Sequence, residues 1–119
     1  MNLNEIKKVH FIGIGGIGMS GLARLFLYEG KEVSGSDISK TPNTEKLSEE
    51  GAQIVYEQTA DNITGDFDFV VYTEAMRKDH PEMLSAKEKG IKMVNYFEAL
   101  GLVANEYYLI AVAGTHGKS

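Results

Sequence analysis

The sequence predicts a doubly wound α/β domain, a parallel sheet with helices on both faces. Three observations predict it. Apolar runs that read as strands alternate with segments of helical periodicity over short links, which implies parallel strands and right-handed crossovers. A glycine loop, Gly13-Ile14-Gly15-Gly16-Ile17-Gly18, lies directly between the first strand and the first helix. An acid, Asp37, ends the second strand 19 residues after Gly18.

The elements follow in order. Val9 to Ile14 is a short apolar run ending in glycines and reads as a buried strand. Ile17 to Tyr28 places Ile17, Leu22, Leu25, Phe26 and Leu27 mostly three or four apart, a helix with a broad apolar face that Gly30 stops. Glu32 to Gly35 is a second strand. Asn43 to Glu50 is a polar helix ending at Gly51, and Ala52 to Tyr56 a third strand. Asp66 to Thr73, with Phe67-Asp68-Phe69-Val70-Val71-Tyr72, carries the strongest strand signal in the chain. Pro81 to Lys89 is a helix with Pro in its first turn and Gly90 at its end. Ile91 to Val94 is a fifth strand, Phe97 to Ala104 a short helix, and Tyr107 to Ala113 a sixth strand leading into Gly114-Thr115-His116-Gly117-Lys118-Ser119. Both prolines, Pro42 and Pro81, stand where a helix can start.

Composition narrows the function classes. The 119 residues are 43% hydrophobic and 24% charged, ordinary for a folded domain with a substantial core. The net charge of −5 argues against nucleic-acid binding, which needs clustered Lys and Arg. With no Cys there is no disulfide, thiolate metal site or Cys nucleophile. No apolar run is long enough to span a bilayer, and the polar start, Met1 to Lys8, lacks the apolar stretch of a signal peptide. The reading is a cytoplasmic protein. Three scattered His do not make a metal site; His10, mid-strand among apolar residues, reads as a core histidine, and His80 as a turn residue.

The glycine loop fits G-x-G-x-x-G in the context that gives each glycine a job. Gly13 permits the tight turn, Gly15 lets the backbone approach a diphosphate, and Gly18 lets the helix pack near the strand. The helix N-terminus offers unpaired N–H groups and a positive dipole end to an anion. Gly16 widens the opening and Ser20 adds a hydroxyl. Asp37 stands where a carboxylate accepts the hydroxyls of a ribose. On these grounds the site takes a nucleotide diphosphate, with NAD the default occupant.

The last residues hold a second phosphate loop. Gly117-Lys118-Ser119 fits the end of G-x-x-x-x-G-K-[ST], with Val112 in place of the first glycine. In such a loop the Lys reaches the β/γ-phosphates of ATP and the Ser hydroxyl ligates Mg²⁺. The sequence stops where that loop becomes a helix, so it reads as a piece of a longer chain. The division expected is residues 1–104 as a nucleotide-binding domain and 105–119 as the first strand and loop of an ATP-binding domain, with Gly114 to Ser119 held only loosely.

The two loops together resemble the Mur ligases, over essentially the whole chain. The residues that carry this are Val9 to Gly21, Ser34-Gly35-Ser36-Asp37, and Ala111 to Ser119. The Gly16-Ile17-Gly18-Met19-Ser20 segment fits the branch that adds L-alanine better than the branch that recycles a peptide onto the same sugar nucleotide. The resemblance implies a Rossmann-like first domain that binds the UDP part of UDP-N-acetylmuramate rather than NAD. It implies ATP-dependent amide-bond formation with L-alanine through an acyl phosphate, in peptidoglycan synthesis. It implies that the parent needs ATP and Mg²⁺ while this portion needs no cofactor and is not catalytic alone.

By matching position, Gly15, Gly16, Ile17, Gly18 and Met19 line the diphosphate, Ser36 and Asp37 face the uridine, and Thr73, Glu74 and Ala75 lie beside the UDP-sugar. Gly114, Thr115, His116, Gly117, Lys118 and Ser119 begin the ATP loop, with Ser119 toward Mg²⁺. Gln58 stands where many relatives carry a His near the uracil; an amide meets a base edge through either end. Asn95-Tyr96-Phe97 replaces basic residues that relatives often carry before the acid at Glu98. The alternative from another class is an NAD(H)-binding module of an oxidoreductase or redox sensor, and a third is a non-catalytic nucleotide sensor. A dehydrogenase has no use for a second phosphate loop after the last strand. The oligomeric state is not readable from the sequence.

Overall fold

The structure is a computed structural model that describes the backbone of residues 3–118 and the side chains of residues 3–107. Its centre is a five-stranded, all-parallel sheet in the order β3-β2-β1-β4-β5. The strands are β1 (Lys8–Ile12), β2 (Glu32–Ser36), β3 (Gln53–Val55), β4 (Phe69–Tyr72) and β5 (Met93–Asn95). The helices are α1 (Ile17–Tyr28), α2 (Pro42–Glu49), α3 (Pro81–Glu88) and α4 (Tyr96–Lys118). A 3-10 turn at Ala60–Asn62 is the one regular element between β3 and β4. The expected doubly wound class is the observed one.

Side-chain alternation divides the core into two layers. Val9 and Phe11 of β1, Phe69 and Val71 of β4 and Val33 of β2 face α1, α2 and α4, where they meet Leu22, Phe26, Leu47, Ala99 and Val103. Phe26 stands edge-on to both Phe11 and Phe69, with centroids 5.9 Å away in each case. Such pairs add about 0.5–1.5 kcal/mol beyond the area they bury. On the opposite face Ile12 and Val70 pack against Ile63, Met83 and Ala86, where α3 covers the sheet. Gly35 has no room for a side chain: a Cβ there would lie 2.6 Å from Ile14 Cβ. That contact presses the loop after β1 onto β2.

The helix starts have local causes. Thr41 caps α2 in a reciprocal box with Thr44, and Pro42 takes the first turn. At α3, Pro81 again opens the helix, and the His80 ring accepts from the Glu82 N–H. Asn95 and Glu98 exchange side-chain-to-backbone hydrogen bonds of 2.9 and 3.0 Å, a capping box that starts α4.

The end of the chain departs from expectation. The sequence reading places a short helix over Phe97 to Ala104, then a strand over Tyr107 to Ala113. The structure instead carries one helix through Tyr96–Lys118. The apolar run at 109–113 is ambiguous by periodicity, since short apolar runs suit a buried strand or a buried helix. What decides is pairing. A strand there would need a ladder neighbour, and among the described residues the sheet ends at β5 with no sixth position filled. A helix satisfies its own N–H and C=O groups, and no proline interrupts this one.

The lower edge is tied by carboxylates. Asp68 accepts from the N–H of Lys7 and Lys8, at 2.6 and 2.9 Å, and Asp66 accepts from Lys8 Nζ at 2.5 Å and from the Thr64 hydroxyl. The Lys8 hydrogen bond, then that of Thr64, hold the exposed Asp66 carboxyl below its ordinary value of 3.8. A carboxyl lowered on folding contributes stability above its unfolded value, and that stability is lost as pH falls through the lower folded value. The Tm difference between wild type and Asp66→Asn is therefore expected to be present at pH 7 and to vanish in acid well below pH 3.8. A difference independent of pH in a melting series would refute the assignment.

Candidate functional site

The site lies at the carboxyl end of the sheet where the strand order reverses. The chain runs from β1 outward to β2 and β3, then returns past β1 to β4 and β5. In open α/β sheets this reversal leaves a crevice between two loops. Here those loops follow β1 and β4.

The β1 loop is shaped by glycine and strapped to β2. Gly13 takes φ +83°, a conformation that side chains disfavour. The N–H groups of Gly13 and Ile14 both donate to the Ser36 carbonyl, at 2.9 and 3.0 Å. Gly16 N–H donates to the Gly13 carbonyl, and Ser20 N–H to the Gly16 carbonyl begins the helical ladder. Gly16 is the N-cap of α1 and makes no side-chain cap bond. Among the described residues the N–H groups of Ile17, Gly18 and Met19 accordingly find no partner. They form the open, electropositive end of a twelve-residue helix. Ile17 beside them is 94% exposed.

Asp37 does not hang free toward the crevice. Its Oδ2 accepts from Gly15 N–H at 2.8 Å and its Oδ1 from Ser39 N–H at 3.2 Å. The carboxylate thus takes up the Gly15 N–H. Close approach needs glycine: a Cβ on Gly15 would lie 2.7 Å from Asp37 Oδ2 and 2.9 Å from Thr44 Cγ2. Asn43, at the start of α2, donates to the Gly15 carbonyl and to Ser20 Oγ. Ser20 donates in turn to the Ile17 carbonyl, so its hydroxyl braces the loop instead of waiting for a ligand.

Ser36, expected to face the uridine, is fully buried in this structure. Its hydroxyl donates to Glu82 Oε2 at 2.6 Å and accepts from Gln58 Nε2 at 3.2 Å. Glu82 Oε1 lies 2.6 Å from His10 Nε2, and His10 Nδ1 lies 2.9 Å from Ser34 Oγ. His10 and Glu82 are 2% and 0% exposed. Sequence reasoning places His10 in the core, as found, but misses its partner. Glu82 sits in the first turn of α3, where an acid normally reads as a solvated favourable charge. The only available signal is that a histidine inside an apolar strand requires a polar partner.

On the other side of the crevice, Thr73, Glu74 and Ala75 follow β4 in a turn closed by Met76 N–H on the Thr73 carbonyl. Glu74 accepts from Asn95 Nδ2 at 3.1 Å, which turns this charge toward β5. Tyr96, which the sequence reading notes only as part of Asn95-Tyr96-Phe97, borders the helix N-terminus: a Cβ on Gly18 would lie 3.0 Å from its ring. The structure thus brings Gly15 to Met19, Asp37, Gln58 and Thr73 to Ala75 to one end of the sheet. The residues expected to hold ATP, Gly114 to Lys118, lie in the last turns of α4; their side chains, and Ser119 entirely, fall outside the described residues.

A separate cavity of about 270 Å³ opens behind β1, β2 and β3, beside Lys8, His10, Ser34, Gln53 and Phe67. Lys8 there is paired with Asp66 and lies over the Phe67 ring, and His10 is held by Glu82 and Ser34. Its charged groups are engaged, whereas the crevice has N–H groups to spare. Among the described residues no three His, Asp or Glu side chains are grouped to hold a metal ion, and no helix is long and apolar enough to cross a membrane.

Comparison with known proteins agrees with this geometry. The family model described as Mur ligase family, catalytic domain, matches residues 8–108. A UDP-N-acetylmuramate–L-alanine ligase of Clostridium botulinum is 49% identical over 114 residues, covering 95% of this chain and 25% of its own length. The enzyme of that name from Agathobacter rectalis is 50% identical over 112 residues, 93% of this chain and 24% of its own. Among solved structures, the UDP-N-acetylmuramate-alanine ligase MurC of Thermotoga maritima superposes with a TM-score of 0.78 at 36% identity, over 83% of this chain and 23% of that one. A murein peptide ligase from Psychrobacter arcticus gives 0.75 at 25% identity, over 80% and 20%. The chain spans about a quarter of the length of the curated relatives it matches. A glycine loop that frees three N–H groups, set in a fold shared over most of its length with these ligases, places this chain in the Mur ligase family.

Proposed function

We propose that this chain is the nucleotide-binding portion of a UDP-N-acetylmuramate–L-alanine ligase of peptidoglycan synthesis. The observation that carries it is the open N-terminus of α1, whose Ile17, Gly18 and Met19 N–H groups face the crevice without partners among the described residues. These donors and the helix dipole hold the diphosphate of UDP-N-acetylmuramate. Asp37 and Gln58 border the nucleoside, and Thr73, Glu74 and Ala75 the sugar. Asp37 also keeps the loop in shape through Gly15.

Residues 1–104 form this domain, and 105–119 lead into a central domain that binds ATP. For that, Gly114 to Lys118 must leave the helix they form here, since a phosphate loop needs free N–H groups; in that loop Lys118 would meet the β/γ-phosphates and Ser119 Mg²⁺. In the whole enzyme ATP activates the muramoyl carboxylate as an acyl phosphate, and the amine of L-alanine displaces the phosphate to form the amide. The part in hand binds substrate without turning it over. The whole protein works in the cytoplasm, where its small-molecule substrates are found. Identities near 50% to curated alanine-adding enzymes, and among solved structures 36% to one of them against 25% to a murein peptide ligase, favour L-alanine as the amino substrate.

Thermal melting tests the reading. Present at 100 times its Kd, a ligand adds about 2.7 kcal/mol. For a domain of this size that raises Tm by several degrees or more. UDP-N-acetylmuramate and UDP are expected to raise Tm, and NADH is expected to leave it unchanged. A shift with NADH and none with UDP would transfer the crevice to a dinucleotide.

A further inference from the structure

The nucleotide reading leaves unexplained why a carboxylate and an imidazole are sealed beneath the crevice. Glu82 makes no contact with the crevice itself; it is 0% exposed, and both of its oxygens are occupied from within. We propose that Glu82 is a positioning residue: from below, it sets which end of the Gln58 amide is offered to a bound base. This rests on the assignment of the crevice to a nucleotide.

One hydroxyl proton sets the polarity of the whole hydrogen-bond chain. Ser36 has a single hydroxyl proton, and Glu82 Oε2 takes it at 2.6 Å. Glu82 is suited to accept it. It lies in the first turn of α3, where the helix dipole favours a negative charge, and His10 Nε2 at 2.6 Å completes its other oxygen. Having given its proton away, Ser36 Oγ can only accept from its other neighbour. That neighbour is the Gln58 amide at 3.2 Å, which must therefore turn its NH₂ inward. The carbonyl end, Oε1, is left facing outward; it has no partner among the described residues and is open to solvent. A buried acid thus fixes an exposed acceptor two hydrogen bonds away.

An outward acceptor selects a base edge that carries a ring N–H. The imide of uracil has one at N3. Cytosine has a bare acceptor at the same ring position and meets Gln58 Oε1 with lone pair against lone pair. Glu82→Gln keeps the shape but changes the polarity. When the substituted amide turns its oxygen to accept from His10 Nε2–H, its NH₂ donates to Ser36 Oγ. The Ser36 proton is then free to bond Gln58 Oε1, and the Gln58 NH₂ turns outward.

The test uses the 119-residue chain, UDP and CDP as probes, and side-chain amide NMR. Wild type is expected to bind UDP about tenfold more tightly than CDP, the worth of one well-made hydrogen bond. It should show a nuclear Overhauser contact between the Gln58 side-chain NH₂ and the Ser36 Hβ protons. In Glu82→Gln the contact is expected to be lost and the UDP:CDP ratio to fall to about one or below. Ser36→Ala, which cuts the chain while leaving Glu82 and His10 paired, should also erase the ratio. A purely structural Glu82 would weaken both nucleotides equally with the ratio kept, and that result overturns the proposal. So does a Glu82→Gln variant that keeps the amide contact. If wild type binds neither UDP nor CDP, the nucleotide assignment fails and the base-selection claim with it. The amide contact then shows separately whether Glu82 sets the Gln58 polarity.

Discussion

Glu82→Ala is expected to lower Tm by more than about 10 °C, the largest loss of any single truncation at a charged residue in this chain. Leaving a buried donor without its acceptor costs roughly 1–3 kcal/mol, and more where a charged group is involved. Here two groups are stranded at once. His10 Nε2 loses its acceptor and the Ser36 hydroxyl loses its own, in a region where His10 is 2% and Ser36 0% exposed. Each kcal/mol corresponds to roughly 4–8 °C in a domain of about this size. The exposed pair Lys40–Glu45, 3.9 Å apart, is the internal contrast: Glu45→Ala should leave Tm within about a degree. His10→Ala combined with Glu82→Ala should cost less than the sum of the two, because they belong to one network. A Tm loss under about 3 °C for Glu82→Ala would show that the network is not an energetic unit.

That network also marks the limit of what the sequence discloses. The sheet was legible because its signals are local: apolar runs, glycine punctuation, and prolines at helix starts. Both Pro42 and Pro81 open helices, and the G-x-G-x-x-G context places the crevice. The family was legible because the two loops and Asp37 stand in a specific order. Three things were not legible, each for a physical reason. The Glu82–His10 bond spans 72 positions, and no periodicity reports a partner chosen by tertiary packing. The inward turn of Ser36 depends on strand register, since its neighbour Asp37 points instead into the glycine loop. The tail over 107–113 has the composition of a strand, yet strand formation depends on a neighbour, and the helix from Asn95 runs on where none is present among the described residues.

The same dependence on close packing makes Gly15 the most sensitive position for ligand binding. Gly15→Ala is expected to weaken UDP binding by about a hundredfold, or 2.7 kcal/mol, while moving Tm by only a few degrees. The new methyl would sit 2.7 Å from Asp37 Oδ2 and 2.9 Å from Thr44 Cγ2. Neither can yield freely. Asp37 is fixed from both oxygens by Gly15 and Ser39, and Thr44 is buried in the capping box of α2. The loop must therefore lift away from α2. Lifting it breaks the 2.8 Å bond from the Gly15 N–H and pulls on the bonds from Asn43 that seat the first turn of α1. The three open N–H groups then no longer converge on one phosphate position. The sheet beneath stays intact, since its ladders involve none of these groups. Calorimetric titration with UDP reads the loss. Amide exchange reads its cause, because the N–H at position 15 should lose protection in the variant whether or not a nucleotide is present. Unchanged UDP affinity with that protection lost would show that the loop geometry is not what holds the diphosphate. Unchanged protection would show that the loop accommodates the methyl without moving, and that Asp37 yields instead.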